Sequence, residues 1–300
     1  MSFSAEIKQE LCKISLHKKC CIQAEAYGVL LFCTSFRSGT VRIMTESDAF
    51  AARLPLLFRK AFQVEFDQLP PENSSKRSFV ISDPEKIRTI GDVFGYDPGE
   101  SVALHINFGV LEEEHCRAAF FRGAFLAGGS VTDPSKGYHL EMGTSHYNVA
   151  REMPALLRES GFEPKSAERK SNYLTYFKQS EYIEDFLTAI GAPVAAMEIM
   201  NAKVEKNLRG SINRRVNCEA ANLDKTVDAA MEQLEALRVL EARGALDSLP
   251  EKLKEAAFLR RENPELTLTQ LAELCDPPVS KSALNHRLRK LMAIAQNANE

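Results

Sequence analysis

Ala119-Phe120-Phe121-Arg122-Gly123-Ala124-Phe125-Leu126-Ala127-Gly128-Gly129-Ser130-Val131 is an apolar run that stops at a pair of glycines. Ala119, Gly123 and Ala127 recur every four residues, which puts them on one face of a helix. That face carries almost no side chain, so a second helix backbone can approach it closely. Gly128 and Gly129 free the backbone to turn and predict the end of the helix. The chain supplies a partner of the same kind. Ala24-Glu25-Ala26-Tyr27-Gly28-Val29-Leu30-Leu31-Phe32-Cys33-Thr34-Ser35 repeats the pattern, with Ala24 and Gly28 spaced as Ala119 and Gly123 are, and Ser35 standing where Ser130 stands.

The repetition continues downstream of both copies. Val41 to Met44 alternates like a strand, as does Tyr138 to Met142. A helix with Ala52-Arg53, Pro55, Leu56-Leu57 and Phe62 has its counterpart in Ala150-Arg151, Pro154, Leu156-Leu157 and Phe162. Strand-like runs at Gln63 to Gln68 and Ser78 to Ser82 answer to Glu163 to Glu168 and Tyr173 to Lys178. Each copy closes on a short helix ending in a glycine, Gly95 and Gly191. The offset holds at about 95–100 residues, and such a fixed period marks duplicated units. Each unit is predicted as αββαββα, and the two small-faced helices are predicted to pack on each other at a pseudo-twofold axis. The first unit takes residues 1–112, with an added N-terminal helix over 3–15 whose apolar face is Phe3, Ile7, Leu11 and Ile14. The second takes 113–200. The stretch Ser101 to Gly109 has no assigned place.

The chain changes character after Pro193. Residues 201–219 hold Lys203, Lys206, Arg209, Arg214 and Arg215, contain Gly210-Ser211 and lack a clear apolar stripe, which predicts a basic linker. Helical periodicity resumes at Ala220 with Leu223, Val227, Ala230, Leu234 and Leu237. Ser248 is the expected cap of the next helix, with Pro250 in its first turn and Pro264 at its end. A short helix with Leu268, Leu271 and Ala272 follows, then the turn Asp276-Pro277-Pro278 and a last helix opened by Ser280. In that last helix Leu284, Leu288 and Leu291 share one face. Ser282, Asn285, His286, Arg289 and Lys290 project from the opposite one, which has no acid. These residue types pair with base edges and phosphates. A short helix, a tight turn and a basic second helix predict an all-α helix-turn-helix domain over 220–300, with the second helix in the major groove of double-stranded DNA.

Paired small-faced helices followed by strands resemble the LAGLIDADG homing endonucleases. The resemblance implies a carboxylate at the tip of each central helix to hold a divalent metal for phosphodiester cleavage. This sequence departs from the pattern there: Gly128 and Cys33 occupy one acidic position, and Leu126 and Leu31 the other. Asp133, past the glycine pair, reads as a turn residue before Pro134. A LAGLIDADG-like domain without its carboxylates, followed by a helix-turn-helix, resembles the WhiA family of bacterial regulators. The matching stretches are Phe3 to Leu11, Arg122 to Ser130, Asn213-Arg214 with Asn217 to Asn222, and Ser280 to Leu291. The resemblance implies a sequence-specific DNA-binding transcriptional regulator of sporulation, or of cell division and chromosome segregation, and no enzyme. The residues assigned to DNA are Ser280, Lys281, Ser282, Asn285, His286, Arg287, Arg289 and Lys290, with Arg214 and Arg215. The alternatives are a metal-dependent endonuclease and an adaptor whose N-terminal domain binds a protein such as a sigma factor.

Composition sets the outer bounds. A net charge of −3 excludes a global basic field, so DNA must be met by a local patch. Basic residues number 22 against 26 acids over 1–200, and 16 against 15 beyond. No apolar window approaches a membrane span, and the N-terminus lacks a signal core; the expectation is a cytoplasmic, nucleoid-associated protein. Seven cysteines without paired spacing argue against a disulfide framework. One group, Cys12, His17, Cys20 and Cys21, has metal-ligating side chains. Adjacent cysteines rarely both reach one tetrahedral site from a short loop, and no Cys-x-x-Cys hook is present. The expectation is reduced thiols, with no metal, cofactor or small-molecule substrate.

Overall fold

A computed structural model describes residues 2–37, 39–71, 74–96, 103–170 and 172–297, and divides at Lys206 into two compact units. The first opens with α1 (Phe3–Leu11) and α2 (Lys19–Phe32), then β1 (Ser35–Arg37), β2 (Thr40–Thr45), α3 (Asp48–Phe62), β3 (Arg77–Ile81) and α4 (Pro84–Phe94). The second copy follows with α5 (Glu114–Gly128), β4 (Gly129–Val131), β5 (Leu140–Thr144), α6 (Tyr147–Glu159), β6 (Lys165–Arg169), β7 (Asn172–Phe177) and α7 (Ser180–Ile190). The strands form two antiparallel sheets, ordered β1-β2-β3 and β4-β5-β7-β6.

The two small-faced helices do pack on each other. A Cβ added to Gly28 on α2 would lie 2.1 Å from the Phe120 carbonyl oxygen, and one added to Gly123 on α5 would lie 1.9 Å from that of Glu25. Each glycine is therefore set by the other helix's backbone. Around this contact Leu30, Leu31, Phe120, Phe125 and Leu126 are fully buried. A carboxylate sits among them. Glu25, 1% exposed, is gripped by Arg53 of α3 (Nε to Oε1 2.6 Å, Nη2 to Oε2 3.0 Å) and Arg122 of α5 (Nη1 to Oε2 3.1 Å). Further guanidinium donors go to backbone carbonyls, Arg53 Nη1 to Cys12 and Ile14, and Arg122 Nε to Ile190. Glu25 and Arg53 are buried and Arg122 is half-buried, and the carboxylate is paired and hydrogen-bonded on both oxygens, which is the condition under which its burial is tolerated.

Two local devices tie α1 into this unit. The Ser4 hydroxyl donates to the Val131 carbonyl (2.8 Å) and accepts from the Val131 amide (2.7 Å), finishing the end of β4. The Glu10 carboxylate accepts from the amides of Val194 (2.8 Å) and Ala195 (3.1 Å), placing an anion on the N-terminus of α8 (Pro193–Ala242). Between the copies, Ser101 and Val102 lie outside the described residues. From Leu104 the connection runs against α2: the Tyr27 hydroxyl donates to the His105 carbonyl (2.7 Å) and accepts from the Asn107 amide (2.9 Å).

Four expectations are corrected. Gln63 to Gln68 is not a strand, because Gln63 ends α3 in the left-handed region (φ 61°) and only Gln68 bridges Val80. Pro70 and Pro71, which have no amide to donate, then carry the chain away. The N-terminal helix ends at Leu11 rather than at residue 15. Residues 201–219, expected as a basic linker without regular structure of its own, are helical and form part of the 50-residue helix α8. They hold no proline, and good helix formers outweigh the single Gly210. Ser248 caps nothing in the following helix; it lies in a 3-10 turn, and Pro250 precedes that helix without a side-chain bond.

The second unit begins within α8 and continues with α9 (Glu251–Glu262), α10 (Leu268–Glu273) and α11 (Lys281–Asn297). Its core is Leu237 and Leu240 of α8, Leu253, Ala256 and Ala257 of α9, Leu271 and Ala272 of α10, and Leu284, Leu288 and Leu291 of α11. Leu223 and Val227, expected on the buried face of α8, are exposed.

Candidate nucleic-acid interface

Three local features build the α10–α11 turn. Thr267 opens α10 with a capping box: its hydroxyl accepts from the Gln270 amide, and the Gln270 side chain accepts from the Thr267 amide (2.9 Å). The turn that follows holds a cis Asp276–Pro277 bond. Ser280 then caps α11 by accepting from the Ala283 amide (3.2 Å). Leu284, Leu288 and Leu291, each 1% exposed, fix the rotation of α11.

That rotation decides what the helix shows. Ser280, Lys281, Ser282, His286, Arg289 and Lys290 are exposed, and Asn285 is half-buried beside them. No acid lies in α11. A cationic, hydrogen-bonding face is thus held on a helix whose opposite side is anchored in the core. Arg287 behaves differently. Its Nη1 donates to Oε2 of Glu255 on α9 (2.8 Å), and the side chain is only 16% exposed. The other oxygen of Glu255 accepts from the Asp276 amide (2.8 Å). Glu255 therefore braces both the turn and α11, a role with no signal in the sequence because one acid among the charges of α9 looks like any other. Arg214 and Arg215 are exposed on α8, and Arg215 Nε donates to Glu219 Oε1 one turn on (2.9 Å).

The tips of the central helices have no comparable equipment. A side chain at Gly128 would put its Cβ 2.4 Å from the Gly143 carbonyl oxygen, so the position excludes a carboxylate by packing. Cys33 is 5% exposed, and its Sγ donates to the Leu30 carbonyl (3.1 Å). Burial pushes this thiol up to about 12. Leu31 and Leu126 are fully buried. Asp133 accepts from the Ser135 amide and hydroxyl (2.9 and 2.6 Å), which makes it a turn residue. The cysteine group is also rearranged: Cys20 and Cys21 come together with His115 and Cys116, not with Cys12 and His17.

A family model described as the WhiA C-terminal HTH domain matches residues 212–295, and one described as the WhiA LAGLIDADG-like domain matches residues 117–209. The probable cell division protein WhiA of Ruminiclostridium cellulolyticum is 38% identical over 311 residues, covering 99% of this chain and 97% of that one. The chain belongs to the WhiA family. The protein of the same name from Heliobacterium modesticaldum is 38% identical over 307 residues, covering 99% and 96%. A crystal structure of full-length WhiA from Thermatoga maritima matches with a TM-score of 0.61 and 24% identity over 99% of both chains, a similarity of fold. The WhiA fold thus accounts for both the duplicated domain and the helix-turn-helix. Among the described residues no helix is long and apolar enough to cross a membrane.

Proposed function

We propose that this WhiA-family chain is a sequence-specific DNA-binding transcriptional regulator whose reading element is α11. The observation that carries this reading is the acid-free face of Ser280, Lys281, Ser282, Asn285, His286, Arg289 and Lys290, set opposite a leucine anchor and behind a braced turn. In a helix-turn-helix that face meets base edges in the major groove, with Arg suited to guanine, Asn to adenine, and Ser and Lys to phosphate. Arg287 acts on the interface through Glu255, as a residue that positions α11. The name of the relatives supports a role in cell division, and with it a place on the nucleoid. Control of sporulation or chromosome segregation is the finer form of the same proposal.

Selection of bound sequences from random duplexes, followed by titration of the selected site, tests the reading. Asn285→Ala and Arg289→Ala are each expected to cost on the order of 1–3 kcal/mol at that site and to relax preference at one base position. Unchanged affinity and preference in both variants would remove α11 as the reader.

The duplicated domain is proposed to do no cleavage. Hard divalent ions need oxygen ligands, and the tips offer a glycine too crowded for a side chain and a neutral buried thiol. Supercoiled DNA carrying the selected site should stay intact with Mg²⁺ or Mn²⁺. Site-specific nicking that depends on the protein refutes this. The domain's surface remains open to a protein partner, the adaptor role that is compatible with DNA binding through α11.

A further inference from the structure

The strongest chemistry in the first unit lies at the other end of the central helices. Cys20 and Cys21 stand in the first turn of α2, and His115 and Cys116 in the first turn of α5. Their ligating atoms all lie within 4.8 Å of one another. His115 Nδ1 is 3.4 Å from Cys21 Sγ and 3.2 Å from Cys116 Sγ. Tetrahedral zinc with bonds of about 2.3 Å to sulfur and about 2.0–2.1 Å to nitrogen requires a sulfur-to-nitrogen separation of about 3.5 Å. The two spacings fall short of that by about 0.1 and 0.3 Å, a gap that side-chain rotation can open.

We infer that Cys20, Cys21, His115 and Cys116 form a structural zinc site that clasps the two repeats at the starts of their central helices.

The duplication explains how two adjacent cysteines reach one site. The same register that sets Gly28 against α5 and Gly123 against α2 makes Cys20 the counterpart of His115, and Cys21 the counterpart of Cys116. Each helix contributes a neighbouring pair, and the crossing of the helices converges the two pairs. The objection that a short loop cannot aim adjacent cysteines at one metal does not apply to a helix start facing its own repeat. Three thiolates and an imidazole are a closed set for structural zinc, with no position left for substrate. Both helix N-termini point their positive ends at the group, which favours the thiolate charge. Without a cation Cys116 and Cys21 resist ionisation. Burial, then the neighbouring Cys20 and Cys21, push Cys116 up to about 12, and burial with Cys20 raises Cys21. Binding of Zn²⁺ therefore releases three thiol protons to solvent, while His115 coordinates as the neutral ring through Nδ1.

The site lies away from the helix tips of Gly128 and Cys33 and has sulfur where a nuclease metal would need oxygen. Its role is to hold the two repeats together. Cys20 is exposed, so its replacement leaves the core intact.

Metal analysis of the full chain, purified without chelator, is expected to find one zinc per chain. Titration of the metal-free chain with Co²⁺ is expected to give thiolate-to-cobalt charge-transfer bands and tetrahedral d–d bands. Cys20→Ser should weaken Zn²⁺ binding at least about 100-fold. Cys218→Ser, an equally exposed cysteine outside the group, should leave it unchanged. Added Zn²⁺ should raise the melting temperature of the wild-type and Cys218→Ser chains but not of Cys20→Ser. Cobalt spectra without charge transfer, equal zinc affinity in the two variants, or a disulfide joining Cys116 to Cys20 or Cys21 in the freshly purified chain would each overturn the assignment.

Discussion

Gly28 and Gly123 are fixed by contact rather than by backbone conformation. A methyl group at either would meet a carbonyl oxygen at about 2 Å, and the obstacle is helix backbone, which cannot swing aside. Gly28→Ala and Gly123→Ala are therefore expected to cost about 1–3 kcal/mol or more in urea denaturation, the range for overpacking a dense core. The opposite hydrophobic replacement, Ala24→Gly, would leave the contact in place. Glu25 answers to a different rule. Removing its charge strands Arg53 and Arg122 without a counterion in the interior, and breaking a buried ion pair costs about 3–5 kcal/mol. Glu25→Gln should show a loss of that order in the same measurement. A third residue sets part of the acid limit. Asp67 pairs with Lys86 and accepts from the amides of Ser82 and Asp83 (2.6 and 2.9 Å), which holds its carboxyl down from 3.8 to about 2. A depressed carboxyl contributes stability that is complete above its unfolded value and is lost as pH falls through its folded one. Stability followed between pH 4 and pH 2 should therefore fall less steeply in Asp67→Asn than in the parent chain.

The elements divide by how locally their causes are written. The central helices were legible because small residues at four-residue spacing appear twice in one register, and because two glycines end the second copy. The helix-turn-helix was legible for the same kind of reason: its leucine stripe, its capping residue Ser280 and its prolines are all local. The Gln63 to Gln68 segment was not. Val64 and Phe66 are buried as in a strand, yet pairing depends on a partner edge and on Pro70 and Pro71 beyond it. Nor was the first half of α8, where Val204, Leu208 and Ile212 share one helical face but stay exposed, so that no burial sets the helix. Helical angle gives Ser282, Asn285, His286, Arg289 and Lys290 as the outward face and leaves Arg287 off it; Arg287 joined the readers only in the wider set assigned to DNA, and nothing local could reveal Glu255, which comes from another element. The brace has a measurable consequence. Arg287→Ala should destabilise the C-terminal unit by about 1.5–3 kcal/mol, the scale of a hydrogen bond to a charged group. It should weaken DNA binding without changing which bases are preferred. A shift in base preference, with stability unchanged, would return Arg287 to the reading face.

Charge is the property that belongs to the whole molecule. With a net charge of −3, the chain as a body repels a phosphate backbone, and the first 200 residues carry an excess of acids. Attraction has to come from segregation, and the acid-free α11 is one such patch. The basic run on α8 is the other candidate. Arg214 and Arg215 are exposed there, and Glu219 engages Arg215. An exposed pair one helical turn apart is worth little, so phosphate could compete for Arg215 at small cost. The salt dependence of binding separates the two uses of these arginines. Each phosphate neutralised contributes about −0.9 to the slope of log affinity against log salt concentration. If both contact phosphate, replacing them together with alanine should reduce the magnitude of that slope by about 1.8 while leaving the order of preferred sites unchanged. Asn285→Ala should do the reverse, altering preference with little effect on the slope, because a neutral side chain releases no counterion. An unchanged slope in the double variant would confine Arg214 and Arg215 to the solvated face of α8 and leave the charge attraction to α11 and the remaining cations.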